Sequence, residues 1–187
     1  MITKANLVHQ PGPASSFSYE EIEIPEPGSG EVVLRHRMIG VNFIDTYFRS
    51  GLYPYPIDPP IIPGAEATGE IIQVGPDVTD LSVGDRVAYT GGFGAYCQHR
   101  IMNADRLVKV PEGRSDEIAA ACMVKGLTAH YLLHGTFSVK PGHTILFHAA
   151  AGGVGLIAGQ WANRIGATVI GTVGSEEKAA LARENGY

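Results

Sequence analysis

Residues 144–175, TILFHAAAGGVGLIAGQWANRIGATVIGTVGS, constrain the fold more than any other stretch of the chain. Thr144–Phe147 is a β-branched and aromatic run that reads as a strand. The small-residue turn Ala149-Ala150-Ala151-Gly152-Gly153-Val154-Gly155 follows it. Leu156, Ile157, Gln160, Trp161 and Ile165 then recur at helical spacing, and Gly166 stops the helix. Ala167–Val173 reads as a second strand with Val169 and Ile170 buried. Strand, glycine turn, helix and strand make a βαβ unit, so the two strands must be parallel.

Such a turn can receive a phosphate. Glycines let the backbone approach a pyrophosphate and let the helix pack closely on the strand. The unpaired N–H groups and partial positive charge at the helix start favour the anion. Against the G-x-G-x-x-G pattern, Ala150, Gly152 and Gly155 fall at the three key positions, the first being alanine. The alternative is tight packing in an α/β fold that binds nothing. About 20 residues past the turn, Val173-Gly174-Ser175 has no acid for a ribose hydroxyl, whereas Ser175 and Lys178 could hold a 2′-phosphate. A shift in register would instead put Glu176 or Glu177 on the ribose. The pattern favours NADPH over NADH.

The N-terminal two-thirds reads differently. Strand character appears over 3–10, 17–24, 31–39, 67–74, 95–101 and 106–110, and 83–89 reads as a turn feeding another strand; with Gly and Pro as punctuation this suggests an antiparallel, barrel-like domain. Arg35, His36 and Arg37 read as a solvated strand face. Gly40–Tyr55 breaks the pattern with Asn42, Asp45, Tyr47, Arg49 and Tyr53 among apolar spacers. It reads equally as a short helix capped by Asn42 or Asp45 and as a wall of hydrogen-bonding groups facing a pocket. Prolines at 54, 56, 59, 60 and 63 require an extended loop. Ser115–Cys122 starts a helix, and Thr128–His134 reads as another after Lys125-Gly126. His130 and His134 are four apart, but without a nearby third ligand they are expected to bind no metal. The closing helix spans Glu176–Asn185, with Gly186 as its stop.

Composition narrows the function classes. A net charge of −5 argues against a nucleic-acid binder driven by phosphate neutralisation. No apolar run approaches the roughly 18–20 residues of a membrane span. The N-terminus lacks a secretory layout, and two cysteines, Cys97 and Cys122, build neither a disulfide framework nor a zinc ribbon. A cytoplasmic protein is expected.

Four motifs in order carry a resemblance: Val41-Asn42-Phe43-Ile44-Asp45-Thr46-Tyr47, Pro63-Gly64-Ala65-Glu66-Ala67-Thr68-Gly69, Val83-Gly84-Asp85-Arg86-Val87 and Lys125-Gly126-Leu127-Thr128-Ala129. Together with the glycine turn they resemble the zinc-free quinone oxidoreductases of the medium-chain dehydrogenase/reductase superfamily, the ζ-crystallin group. The resemblance implies a mixed α/β chain. A GroES-like, mostly antiparallel β-barrel catalytic domain would span 1–124. The first part of a Rossmann-type parallel sheet, the N-terminal half of an NADPH-binding domain, would span 125–187.

It further implies hydride transfer from NADPH to a quinone or an activated enone. Relatives with catalytic zinc carry cysteine and histidine where Asn42 and Ala65 stand, so no metal is expected and Glu66 is left structural. The residues implied on the nicotinamide and substrate side are Asn42, Asp45, Tyr47, Tyr53 and Thr128, with Asn42, Tyr47 and Tyr53 as the catalytic candidates. Gly152, Gly153, Val154 and Gly155 would take the pyrophosphate, and Ser175 and Lys178 the 2′-phosphate. The group forms homodimers at full length, and the resemblance implies that this chain lacks the C-terminal part. The alternative is a non-catalytic, crystallin-like fragment that binds NADPH.

Overall fold

The computed structural model describes residues 1–55 and 57–187, and Pro56 of the proline-rich loop lies outside the described residues. The chain falls into two compact units, Met1–Met123 and Val124–Tyr187.

In the first unit, β1 (Ile2–Val8) pairs antiparallel with β2 (Phe17–Glu23). Next come β3 (Glu31–Gly40), α1 (Phe43–Ser50), β4 (Glu66–Val74), β5 (Arg86–Thr90), β6 (His99–Asn103) and β7 (Val108–Lys109). The five strands β6-β3-β4-β5-β7 form one antiparallel sheet. Bridges Ala5↔Cys97 and Val8↔Ile61 tie β1 to the loops that flank this sheet. Val32, Leu34, Ile71, Val87 and Tyr89 are buried between the elements and form its core.

Two sequence expectations need correction here. Residues 95–98 lie outside β6; their backbone bonds are shared between β1, as in Asn6 N–H to the Tyr96 carbonyl at 2.8 Å, and the Pro63-Gly64 segment, as in Tyr96 N–H to the Pro63 carbonyl at 2.9 Å. Arg35 and Arg37 are exposed, as a solvated face requires, and Arg35 pairs with Glu70 at 3.0 Å. His36 between them points inward, because strand neighbours alternate faces. Its Nδ1 lies 2.7 Å from the Cys97 carbonyl and its Nε2 2.8 Å from the Tyr89 hydroxyl. The carbonyl can only accept, so Nδ1 carries the proton and Nε2 accepts from Tyr89. Burial, outweighing the Cys97 bond, lowers the His36 pKa to about 4. Burial likewise pushes the Cys97 thiol up to about 11, and it donates to the Gly94 carbonyl at 3.1 Å.

The helix α2 (Asp116–His130) crosses from the first unit into the second. The expected break at Lys125-Gly126 is absent: α2 is continuous and ends in a π-helical turn, Tyr131–Thr136. A mid-helix glycine costs only about 1 kcal/mol against alanine. Ending and restarting the helix would orphan four backbone groups at each new terminus.

In the second unit, β8 (Thr144–Phe147) pairs in parallel with β9 (Thr168–Gly171), and α3 (Gly153–Ile165) forms the crossover. Ser175 caps α4 (Glu176–Glu184), its hydroxyl accepting from the Lys178 N–H at 3.3 Å. Ala129, Leu133, Ala158, Ala162 and Val169 are buried on one side of this strand pair. Val169 is buried as expected, but Ile170 is exposed, as is its register partner Leu146. Alternation puts both on the opposite face of the pair from Val169. His130 and His134 pack at a tilt against Trp161, at centroid distances of 5.6 and 5.2 Å. Among the described residues no group of three or more His, Cys, Asp or Glu could hold a metal ion. No described helix is long and apolar enough to cross a membrane.

Candidate functional site

In the first unit the candidate residues gather where β3 gives way to α1. Gly40–Tyr55 contains the short helix, and polar groups converge at its start. Asn42 is the N-cap of α1, and its backbone N–H donates to Asp45 Oδ2 at 2.9 Å. The same carboxylate oxygen accepts from the Tyr96 hydroxyl at 2.8 Å, and Asp45 is buried. Burial first, and then the bond to Asp45, raise the Tyr96 hydroxyl pKa well above its ordinary value, so it stays a donor. The Asn42 side-chain amide donates to Glu66 Oε1 at 2.8 Å, and Glu66 is fully buried.

Two glycines make this arrangement possible. A Cβ on Gly40 would lie 2.3 Å from Glu66 Cγ and Oε1. Gly64, at φ +95°, would put a Cβ 2.4 Å from the Tyr96 ring. Gly64 and Glu66 thus serve the motif that contains them by making room for Tyr96 and by receiving Asn42.

Tyr47 and Tyr53 meet on the far side of α1, with ring centroids 5.3 Å apart, and Tyr53 donates its backbone N–H to the Tyr47 carbonyl at 3.1 Å. Phe48 packs edge-on against both Tyr53 and Phe93. Tyr47 is half-buried and Tyr53 exposed, so each phenol presents a rigid apolar ring with a polar tip. Arg49, by contrast, is spent on the fold: its Nε donates to the Gly12 carbonyl at 3.2 Å.

In the second unit the glycine turn follows β8. Ala149 sits at φ 55°, a conformation alanine rarely adopts, and its carbonyl accepts from Gly152 N–H at 2.8 Å. That reversal aims the start of α3 back over the ends of the strands, with Gly152 as its N-cap. A Cβ on Gly155 would lie 2.4 Å from the Ala149 carbonyl oxygen and 2.5 Å from that of Ala150. Only hydrogen fits there. Gly155 is also fixed from behind, where the Tyr187 hydroxyl donates to its carbonyl at 2.8 Å.

The end of β9 lies beside this turn. Thr172 N–H donates to the Phe147 carbonyl at 3.1 Å, and His148 Nδ1 lies 2.9 Å from Thr172 Oγ1. Because β8 and β9 are parallel, α3 and α4 both begin beyond the same ends of the pair. The cap of α4 brings Ser175 and Lys178 together there. Thr128 lies on α2 and returns its hydroxyl proton to the Val124 carbonyl at 2.7 Å, which leaves its oxygen able to accept.

Sequence reasoning passed over Tyr96, Tyr187, the His148–Thr172 pair and Lys125. Lys125, whose stem packs against Gly153, lay in a motif already singled out, and His148 and Thr172 lay in the βαβ stretch. Tyr96 and Tyr187 meet partners 51 and 32 positions away and carry no spacing signal.

The alcohol dehydrogenase GroES-like domain family matches residues 28–112. A quinone oxidoreductase of Pseudomonas aeruginosa is 54% identical over 171 residues, covering 91% of this chain and 52% of the relative. A 2-haloacrylate reductase of a Burkholderia species is 49% identical, over 97% of this chain and 56% of the relative. The crystal structure of an Escherichia coli quinone oxidoreductase complexed with NADPH superposes with a TM-score of 0.94 at 44% identity. It covers 98% of this chain and 56% of that one. The chain spans about half the length of the curated relatives it matches.

Proposed function

The chain belongs to the quinone oxidoreductase family of the medium-chain dehydrogenase/reductases, and from that premise we propose that it takes part in zinc-independent hydride transfer from NADPH to a quinone. In this reading residues 1–124 are the GroES-like catalytic domain and 125–187 the first half of the nucleotide domain. The observation that carries it is the turn after β8. A β strand, a left-handed Ala149, a glycine-capped helix start and a Gly155 that admits no side chain form a cradle for a diphosphate.

The residues present fit such a cofactor. Gly152, Gly153, Val154 and Gly155 would hold its pyrophosphate. Ser175 and Lys178 would hold the 2′-phosphate, at a strand end where Val173-Gly174-Ser175 carries no acid and a hydroxyl and a cation follow. When bound, NADPH would supply the hydride. Asn42 donates its amide to Glu66, and Asp45 accepts from its backbone N–H at the helix start; in this reading both would serve the nicotinamide side. Tyr47 and Tyr53 offer phenol donors for the oxygen of the acceptor as negative charge develops there. Thr128 offers its hydroxyl oxygen as an acceptor. Asn42 and Ala65 do not fit a zinc ion, since an amide already committed to Glu66 and a methyl group supply no thiolate or imidazole. No step is therefore routed through a metal.

A second reading, reduction of an activated enone, is favoured by the 49% identity to a 2-haloacrylate reductase. In both readings the full-length form would be a cytoplasmic homodimer.

The test is an NADPH titration followed by nicotinamide fluorescence, with NADH alongside, and then addition of 1,4-benzoquinone or 2-chloroacrylate. NADPH oxidation with benzoquinone supports the first reading, and oxidation with chloroacrylate alone supports the second. Binding without turnover would make the chain a nucleotide-binding fragment. Absence of binding would sink the dinucleotide reading.

A further inference from the structure

The buried Asp45 carboxylate receives two donors on one oxygen, Oδ2, from distant parts of the first unit. One is the backbone N–H of Asn42 at 2.9 Å, which belongs to the capping box of α1. The other is the Tyr96 hydroxyl at 2.8 Å, 51 positions along the chain. A capping box is complete with the first alone. The second ties the start of α1 to a segment that the helix itself does not require.

Tyr96 is held independently of that bond. Its N–H donates to the Pro63 carbonyl at 2.9 Å, and its carbonyl accepts from Asn6 N–H at 2.8 Å. Its ring packs at a tilt against Phe17, with centroids 6.1 Å apart, and lies over Gly64, where a Cβ would come within 2.4 Å. Backbone and ring together fix where the hydroxyl stands. Burial, and then the bond to Asp45, raise its pKa and keep it protonated as a donor. Asp45 is thus pinned from outside the helix, and the Asn42 N–H is pinned by Asp45. The Asn42 side chain is held separately, by the bond from its amide to Glu66 Oε1 at 2.8 Å. One support for the backbone and another for the side chain are what a preoriented binding group needs.

We propose that Tyr96 is a positioning residue, which through Asp45 fixes the Asn42 backbone so that Asn42 meets the nicotinamide half of the dinucleotide. This rests on the nicotinamide-side role of Asn42 in the proposed function and adds the residue that sets its geometry. Tyr96 itself touches neither cofactor nor acceptor in this assignment.

The experiment compares affinities of the 187-residue chain for NADPH and for 2′,5′-ADP, which lacks the nicotinamide. The unchanged chain is expected to bind NADPH the more tightly. Asn42→Ala should weaken NADPH about fivefold, the scale of one hydrogen bond, and leave 2′,5′-ADP unchanged. Tyr96→Phe keeps the ring on Gly64 and Phe17, so the fold is retained. It should weaken NADPH about threefold, without affecting 2′,5′-ADP, because the contact is misplaced rather than deleted. The double variant should lose no more than Asn42→Ala alone, since Tyr96 acts through Asn42. Tyr89→Phe, which removes the hydroxyl donated to buried His36, is the control for simple loosening of the sheet. It should lose stability in a thermal melt and keep both affinities.

Unchanged NADPH affinity in Tyr96→Phe, or an equal loss in Tyr89→Phe, makes Tyr96 structural only and overturns the inference. So do losses that add in the double variant. Each of these results leaves the dinucleotide reading intact. If Asn42→Ala binds NADPH normally, or the unchanged chain binds NADPH no more tightly than 2′,5′-ADP, the nicotinamide role of Asn42 fails and this inference with it.

Discussion

The side-chain amide of Asn42 donates to Glu66 Oε1 at 2.8 Å, joining the cap of α1 to the first residue of β4. Glu66 is fully buried, so this bond shields a carboxylate that has no access to water. Asn42→Ala removes that donor and should cost about 1–3 kcal/mol. Asn42→Asp places a second carboxylate against the first and should cost more. Urea denaturation of the two variants checks the order. If Asn42→Asp proves as stable as the unchanged chain, the Glu66 bond is not a stabilising contact.

Gly64 tests the neighbouring contact. At φ +95°, and with a Cβ placed 2.4 Å from the Tyr96 ring, Gly64→Ala is both strained and overpacked. A loss of about 2 kcal/mol or more is expected. Tyr96→Phe removes only the hydroxyl donated to Asp45 and should cost about 1 kcal/mol. Thermal melts of both variants, read together, separate the steric from the polar contribution.

His36 predicts a pH dependence. Its pKa is lowered in the folded chain from 6.5 to about 4, chiefly by burial. Arg100 and His99 add repulsion of the same sign, against the Cys97 carbonyl bond that favours the charged form. Between these two values the unfolded chain holds a proton that the folded chain does not, so stability falls as pH drops from 6.5 towards 4. The loss is on the order of 3 kcal/mol across the window. Carboxylates titrate in part of the same range, so the check is a difference. The unfolding free energy of His36→Gln should fall less steeply from pH 6.5 to 4 than that of the unchanged chain.

Lys178 and Ser175 govern cofactor choice in the proposed function. Lys178→Ala should weaken NADPH roughly tenfold, the scale of one lost charge-assisted bond, while leaving NADH unaffected. Ser175→Ala also removes the helix cap on α4, so about 1 kcal/mol of stability should go with it. A matched loss of NADPH and NADH in Lys178→Ala would remove this residue from the 2′-phosphate.

Gly155→Ala has no room between the Ala149 and Ala150 carbonyls. Relief requires α3 to move off the turn, so both stability and NADPH affinity should fall. Fluorescence titration and a thermal melt on the same sample measure the pair. Full affinity in this variant would mean that the turn does not hold the diphosphate.

The sequence by itself determined the βαβ unit, the position of its glycine turn, the N-terminal strands and the capped start of α1. These follow from local physics: period-two and helical spacing, proline and glycine chemistry, and capping within three or four residues. The tertiary structure alone decided that α2 runs through Gly126, that His36 turns inward and that Ile170 is exposed. It also decided that Asn42 meets Glu66, that Tyr96 reaches Asp45, that Tyr187 backs Gly155 and that Lys125 lies on Gly153. Each of these depends on which distant segment fills a given volume. A contact between residues 24 or 51 positions apart leaves no periodic trace in one chain. Only close packing, which admits one side chain and excludes a Cβ beside it, fixes that choice.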